Sequence, residues 1–170
     1  MNEYSIEDGA SIDVSALQVG QVPIDEYRIA HATMSYVCHD IIVQINDQYL
    51  LVERDAVPAK GILWPLGGRL LRGVTAEDSI KDRVLKEAGI TISDLTFLGV
   101  ARTMFATDPL GHGKGTDTVN LMYLAEGHGD VQLDQLHKTP TLFTKEEYVT
   151  TLRASLHPYV VEMLDLALAQ

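Results

Sequence analysis

Cysteine is nearly missing: Cys38 is the single one in 170 residues. That excludes an internal disulfide and a multi-cysteine zinc site. No run of 18 apolar residues occurs, so no membrane-spanning helix is expected. Basic residues are few. Thirteen Lys and Arg stand against 24 Asp and Glu, a net charge of -11, which argues against a nucleic-acid-binding surface. The stretch MNEYSIEDGASIDVS has no apolar run. It reads as neither a secretory signal nor a transit peptide, and the expected location is the cytoplasm.

What is present is an ordinary folded composition, 46% apolar and 22% charged, long enough for one domain with a real core. The charge is uneven. Between Arg54 and Arg102 there are eight basic and six acidic residues, so that segment is +2 and the remainder -13. Such a segment suits a small anion or is simply a solvated surface.

Residues 1–21 are weakly patterned and read as an arm, strapped onto a partner subunit, before a single domain over 22–170. Acidic Asp25 and Glu26 open a short helix. Met34 to Val43 and Tyr49 to Arg54 read as strands joined at Asn46-Asp47. Thr75-Ala-Glu-Asp78 is a capping signature for a helix over 76–88. Ile80, Val84 and Ala88 form its buried stripe, and Gly89 is its stop. Strands follow over 95–104 and 119–125. The Gly- and Pro-rich stretch 108–115 between them is a mobile loop or a lid. Further helices are expected over 148–154 and from Pro158 onward. The pattern is α/β, a mixed sheet sandwiched between helices.

The chemistry sits between Trp64 and Ile90, WPLGGRLLRGVTAEDSIKDRVLKEAGI. Glycines at 67 and 68 let a ligand approach the backbone. Arg69 follows directly, and arginine's planar fork suits phosphate oxygens. Helix positions 83, 86 and 87 share a face and offer Arg83, Lys86 and Glu87. Glu87 is then either a cation ligand or the partner of an Arg83 salt bridge. Asp40, inside an apolar strand, needs a ligand or a hydrogen-bond partner. His31 and His39 read as structural, Cys38 as buried and inert, and Trp64 as a core residue or a stacking surface.

This stretch resembles the Nudix box, G-x5-E-x7-R-E-U-x-E-E-x-G-U, with Gly68 on its first glycine and Gly89-Ile90 on its last two positions. Val74, Asp82-Arg83 and Lys86 replace four of its charged positions, and Glu87 is kept. From about Asp25 to Phe143 the chain is most similar to the GDP-mannose mannosyl hydrolase branch. The shared features are Asp25-Glu26-Tyr27, Asp40, Arg54, Pro58-Ala59, Gly67-Gly68-Arg69 and Gly115-Thr116-Asp117. That branch also lacks the complete Glu set.

The resemblance implies a Nudix fold and a divalent-metal-dependent hydrolase of a nucleoside diphosphate sugar or related compound. Arg54 and Arg69 would neutralise the diphosphate, and Asp40 would lie near the nucleoside. Mg2+ or Mn2+ would be held by the Gly67 carbonyl, Glu87 and His137. His137, in a loop, falls in the region of a late ligand and general base. A homodimer is implied as well. Two alternatives stay open: a catalytically reduced ligand-binding or regulatory module, and a structural interaction protein.

Overall fold

The structure is a computed structural model that describes residues 1–4, 6–7 and 10–170. Its framework is a mixed seven-stranded sheet. The hub is β3 (Tyr36–Ile45), reached after a two-residue hairpin, β1 (Ile6–Glu7) and β2 (Ala10–Ser11), and helix α1 (Ile24–Thr33). Asn46 and Asp47, both with positive φ, turn the chain into β4 (Gln48–Arg54). That is the backbone a two-residue hairpin requires. Short β5 (Leu63–Trp64) and β6 (Leu66–Arg69) follow, then α2 (Ala76–Ala88), β7 (Thr91–Phe105) and β8 (Thr116–His128). β9 (His137–Phe143), a one-turn α3 (Lys145–Glu147) continued by π and 3-10 turns to Ser155, and α4 (Pro158–Ala167) complete the order.

β3 pairs antiparallel with β4 and β6 and parallel with β8, and β7 flanks β8 at the sheet edge. Alternation along β3 separates two layers. Ile41, Val43 and Ile45 face α2, where Ile80, Val84 and Ala88 are fully buried. Burying a Val or Ile side chain contributes about 1.5–3 kcal/mol, so this stripe fixes the helix to the sheet. On the other face Ile42 packs with Trp64, Met122 and Phe143 against Tyr159, Val160, Met163 and Leu164 of α4. Thr75 caps α2 by accepting from the Asp78 amide at 3.0 Å, and Gly89 stops it with φ 69°.

One expectation is corrected. His137 opens strand β9, not a loop. Within this chain Arg72 donates to the Leu17 carbonyl, Gln18 to the Gly73 carbonyl, and the Glu3 carboxylate accepts from the Ala76 amide at the start of α2. The loop 108–115 is hydrogen-bonded to itself and to α1. Asp108 accepts from the amides of Leu110, His112 and Gly113, and Arg28 donates to the Gly111 carbonyl. Among the described residues no helix is long and apolar enough to cross a membrane.

Candidate functional site

On the α4 face, Tyr36, Cys38 and Asp40 of β3 form the floor of a cavity of about 180 Å³. Arg54, Trp64, Gly67, Gly68 and Arg69 close one side, and Thr103, Phe105, Thr118 and Asn120 the other. Tyr27 and His31 of α1 form a third wall. His31 is therefore a wall residue, not merely structural, and Trp64 is both core and wall. A groove of about 650 Å³ adjoins across Tyr27, Tyr36 and Arg69 and runs under the arm residues Gln18 to Val22. The cavity alone is smaller than the ~300–1,000 Å³ of most ligand pockets. A larger ligand would run past Arg69 into the groove.

Two arginines line the cavity of this chain of net charge -11. Arg83, Arg102 and Arg153 each have a carboxylate partner. Among the described residues Arg28, Arg54, Arg69 and Arg72 have none, and of these four Arg54 and Arg69 line the cavity. Arg54 Nε donates to the Pro58 carbonyl at 2.9 Å. The Arg69 guanidinium lies 4.6 Å from the centroid of the Tyr27 ring, a cation–π contact that holds it without neutralising it. Both keep their charge available to an anion.

Asp40 is 7% exposed, and its Oδ2 accepts from the Tyr159 hydroxyl at 2.6 Å. Burial pushes its pKa up to about 6, against the pull of that hydrogen bond and of Arg54. Gly67 stands opposite Asp40. A Cβ there would overlap Asp40 Oδ1 and the His39 carbonyl, so the position needs glycine for close approach. The Leu70 amide bonds to the Val37 carbonyl. Counting along the antiparallel pair from that bond makes Gly67–Asp40 a non-hydrogen-bonded pair. The amide and carbonyl of Gly67 therefore point away from β3, and the amide donates to Glu87 Oε2 at 3.1 Å.

Glu87 is 5% exposed, and its Oε1 lies 3.5 Å from Arg83 Nη1. The salt bridge is thus formed, while Lys86 turns aside to Asp82. Even so, burial pushes the Glu87 pKa up to about 7, with Asp134 adding to the rise. His137 is paired across strands with Arg54 but is absent from the cavity wall; its Nδ1 meets Asp134 Oδ1 at 2.8 Å. The Asp134 amide in turn bonds to the Glu87 carbonyl. The structure thus brings Asp40, Arg54, Gly67 and Arg69 to one cavity, with Glu87 beside Gly67 and His137 behind Arg54.

Among the described residues no three His, Cys, Asp or Glu side chains converge on one point to hold an ion. Glu87 with the outward Gly67 carbonyl still fits a divalent cation of the Mg2+ type. Such an ion commonly takes one or two carboxylates, substrate phosphates and waters, not a full protein cage. A buried carboxylate kept near neutrality by desolvation is also what an adjacent cation would stabilise in its charged form. His137 Nδ1 is engaged with Asp134, and the ring is not among the residues that line the cavity.

Sequence reasoning missed Tyr159 and Asn120, whose contacts are distant in the chain, and Asp134, and it noted Tyr27 only as part of the resemblance. No protein-family profile matches the sequence, and no curated protein matches it. Solved structures do. A MutT NUDIX hydrolase from Burkholderia pseudomallei superimposes with TM-score 0.62 at 19% identity, over 78% of this chain and 98% of that one. A NUDIX hydrolase from Nitrosomonas europaea gives 0.63 at 19% identity, over 80% and 90%. The NUDIX domain of Shewanella oneidensis NrtR, complexed with ADP ribose, gives 0.59 at 12% identity, over 86% and 99%. At these identities the likeness is one of architecture, and by its architecture this chain has the Nudix fold.

Proposed function

We propose that the chain is a Nudix-type hydrolase of a nucleoside diphosphate sugar or related nucleoside diphosphate derivative, dependent on Mg2+ or Mn2+. The observation that carries this reading is the pair Arg54 and Arg69, unpaired in an acidic chain and facing one cavity. Their bidentate donors match the oxygens of a diphosphate. Charge that builds on a leaving phosphate would be neutralised there, which is where electrostatic catalysis contributes most. Solved structures of the same fold support the ligand class: one is complexed with ADP ribose, and a Francisella tularensis bifunctional protein with AMP and a Mn ion.

When bound, the cation would draw electron density from the diphosphate. Glu87 and the Gly67 carbonyl would hold it. Arg54 and Arg69 orient the diphosphate. Asp134 accepts from His137 Nδ1, which leaves Nε2 as the basic nitrogen, the tautomer a general base needs. On the resemblance to the GDP-mannose mannosyl hydrolase branch, water attacks the sugar carbon and nucleoside diphosphate leaves. On the ordinary Nudix route it attacks phosphorus. A homodimer belongs to the same proposal.

The Arg83–Glu87 ion pair favours a second reading. In it Arg83 occupies the carboxylate that would bind metal, and the chain is a catalytically reduced binding module. The deciding experiment is product release from a nucleotide-sugar panel with Mg2+, Mn2+ or EDTA, for wild type and Glu87→Gln. Metal-dependent turnover lost in the variant supports the hydrolase, and the product identifies the bond. Binding with no turnover under any metal replaces it with the second reading.

A further inference from the structure

Helix α1 is not held to the body by apolar packing. Ile24 and Ile29 are left exposed, at 64% and 66%, and His31 is its one buried residue. A surface helix ordinarily turns its aliphatic side chains to the core. This one turns a polar and aromatic face inward instead. Tyr27 and His31 are four residues apart and share that face. Both rings pack on Tyr36 of β3, with centroids 5.6 and 5.4 Å away. Arg28 donates to the Gly111 carbonyl, and His31 Nδ1 meets His112 Nε2. The helix is therefore organised around the cavity wall, where Tyr27 and His31 both lie.

Arg69 stands at the end of β6 as a long, half-buried side chain. Such a side chain loses rotamer freedom when it closes on an anion, and that loss weakens binding unless the group is held beforehand. A carboxylate would hold it but would also occupy its charge. Asp25 and Glu26 flank Tyr27 in sequence, yet both are exposed and neither pairs with Arg69 among the described residues. The Tyr27 ring does the holding, with Arg69 Cζ 4.6 Å from its centroid. An aromatic ring attracts a cation without neutralising it. Contact at Cζ leaves the N–H donors, which lie in the guanidinium plane, free for phosphate oxygens. Arg54 is held in a comparable way, through Nε by the uncharged Pro58 carbonyl. Each arginine of the pair is thus oriented by a partner that leaves its charge intact.

We propose that Tyr27 is a positioning residue for Arg69: its ring fixes the guanidinium at the mouth of the cavity before the anion arrives, and Tyr27 itself makes no bond to the ligand. Tyr27 and Arg69 also line the adjoining groove, so the pair stands where a ligand passes from cavity to groove. Helix α1 thereby becomes part of the anion site. This inference rests on the diphosphate reading of Arg54 and Arg69 and specifies what readies Arg69 for it.

The test is calorimetric binding of inorganic pyrophosphate to the full chain in Mg2+. The proteins are wild type, Tyr27→Leu, Tyr27→Phe, Arg69→Ala and the double variant Tyr27→Leu with Arg69→Ala. Tyr27→Leu is expected to weaken binding about 3–30-fold, the range of a partly desolvated cation–π contact. Tyr27→Phe keeps the ring face and should bind as wild type does. In the Arg69→Ala background Tyr27→Leu should change nothing further. A general loss of folding would show in both backgrounds, so the cycle separates it from an effect on Arg69. Unchanged affinity in Tyr27→Leu, a loss in Tyr27→Phe as large as in Tyr27→Leu, or an equal loss with and without Arg69 overturns the assignment and leaves the diphosphate reading standing. Failure of wild type to bind pyrophosphate overturns both.

Discussion

The hydroxyl of Tyr159 donates to Asp40 Oδ2 at 2.6 Å, joining the last helix to the central strand across 119 residues of sequence. Tyr159 also stacks on Trp64, with ring centroids 5.1 Å apart. One side chain thus sets both a carboxylate and an aromatic face of the cavity. Tyr159→Phe keeps the stacking and removes only the hydrogen bond. Bonds to charged groups contribute about 1.5–3 kcal/mol, so urea unfolding at pH 7.5 should show a loss of that order. Asp40 should also titrate higher, because the bond that lowers its pKa is gone. Unchanged stability together with an unchanged Asp40 titration, followed by carboxyl NMR, would mean the bond carries nothing.

Arg54 and Arg69 carry the anion reading and differ in how they are held. Replacing either by Ala should weaken pyrophosphate binding about 10–100-fold, the equivalent of one charge-assisted hydrogen bond each. Arg69→Lys should recover little, since a point charge loses both the fork and the stacking on Tyr27. Equal affinity for wild type and both Ala variants would remove the basis for a diphosphate ligand at this cavity.

His39 gives a pH dependence to stability. It is fully buried between the sheet and α2, with Nε2 against Ser79 Oγ at 2.8 Å. Burial, with Arg83 nearby, lowers its pKa from 6.5 to about 4. The unfolded chain therefore binds the proton more readily than the folded one. Stability is complete above pH 6.5 and is lost as pH falls towards 4. A shift of this size corresponds to about 3 kcal/mol at 1.36 kcal/mol per unit. Urea midpoints of wild type and His39→Gln compared across that window should show a flatter slope in the variant. Parallel curves would assign the acid sensitivity to other groups.

How much of this was legible in the sequence depended on whether a signal is local. The α2 helix was, since its cap Thr75, its stripe Ile80, Val84 and Ala88, and its stop Gly89 lie within fifteen residues. The hairpin at Asn46-Asp47 was too. β9 was not. Pro140 interrupts it, and it pairs only with β4 across an irregularity at Val52 and Glu53, a place where a sheet tolerates proline. The chemistry of Arg54 and Arg69 could be anticipated from residue type and the glycine pair. Their lack of acidic partners could not, because pairing is a property of the folded surface. Asn120 looked like any polar residue in a strand. Register across three strands sets Arg69, Cys38 and Asn120 in one row of the cavity wall, and it leaves no trace in one sequence.

The loop over the cavity is closed by two histidines, and their protons can be assigned. The Lys114 amide donates to His112 Nδ1 at 3.1 Å, so that nitrogen is an acceptor. The proton of neutral His112 is then on Nε2 and is donated to His31 Nδ1 at 2.7 Å. Burial and His112 lower the pKa of His31 below the usual imidazole value, which keeps the His31 ring neutral at pH 7. Asp108, 3.5 Å from His112 Nε2, and Arg28 on the Gly111 carbonyl are the other charged groups holding the loop. His112→Ala removes the clasp and leaves the three Asp108 hydrogen bonds and the Arg28 bond to Gly111 to carry the loop. Hydrogen exchange at the amides of Leu110 and Gly113 should accelerate in the variant. In wild type it should accelerate as pH falls below the usual imidazole range, once corrected for intrinsic rates, because protonating His31 makes both facing nitrogens donors. Exchange at those amides that is indifferent to both changes would show that Asp108 and Arg28 hold the loop closed without the clasp.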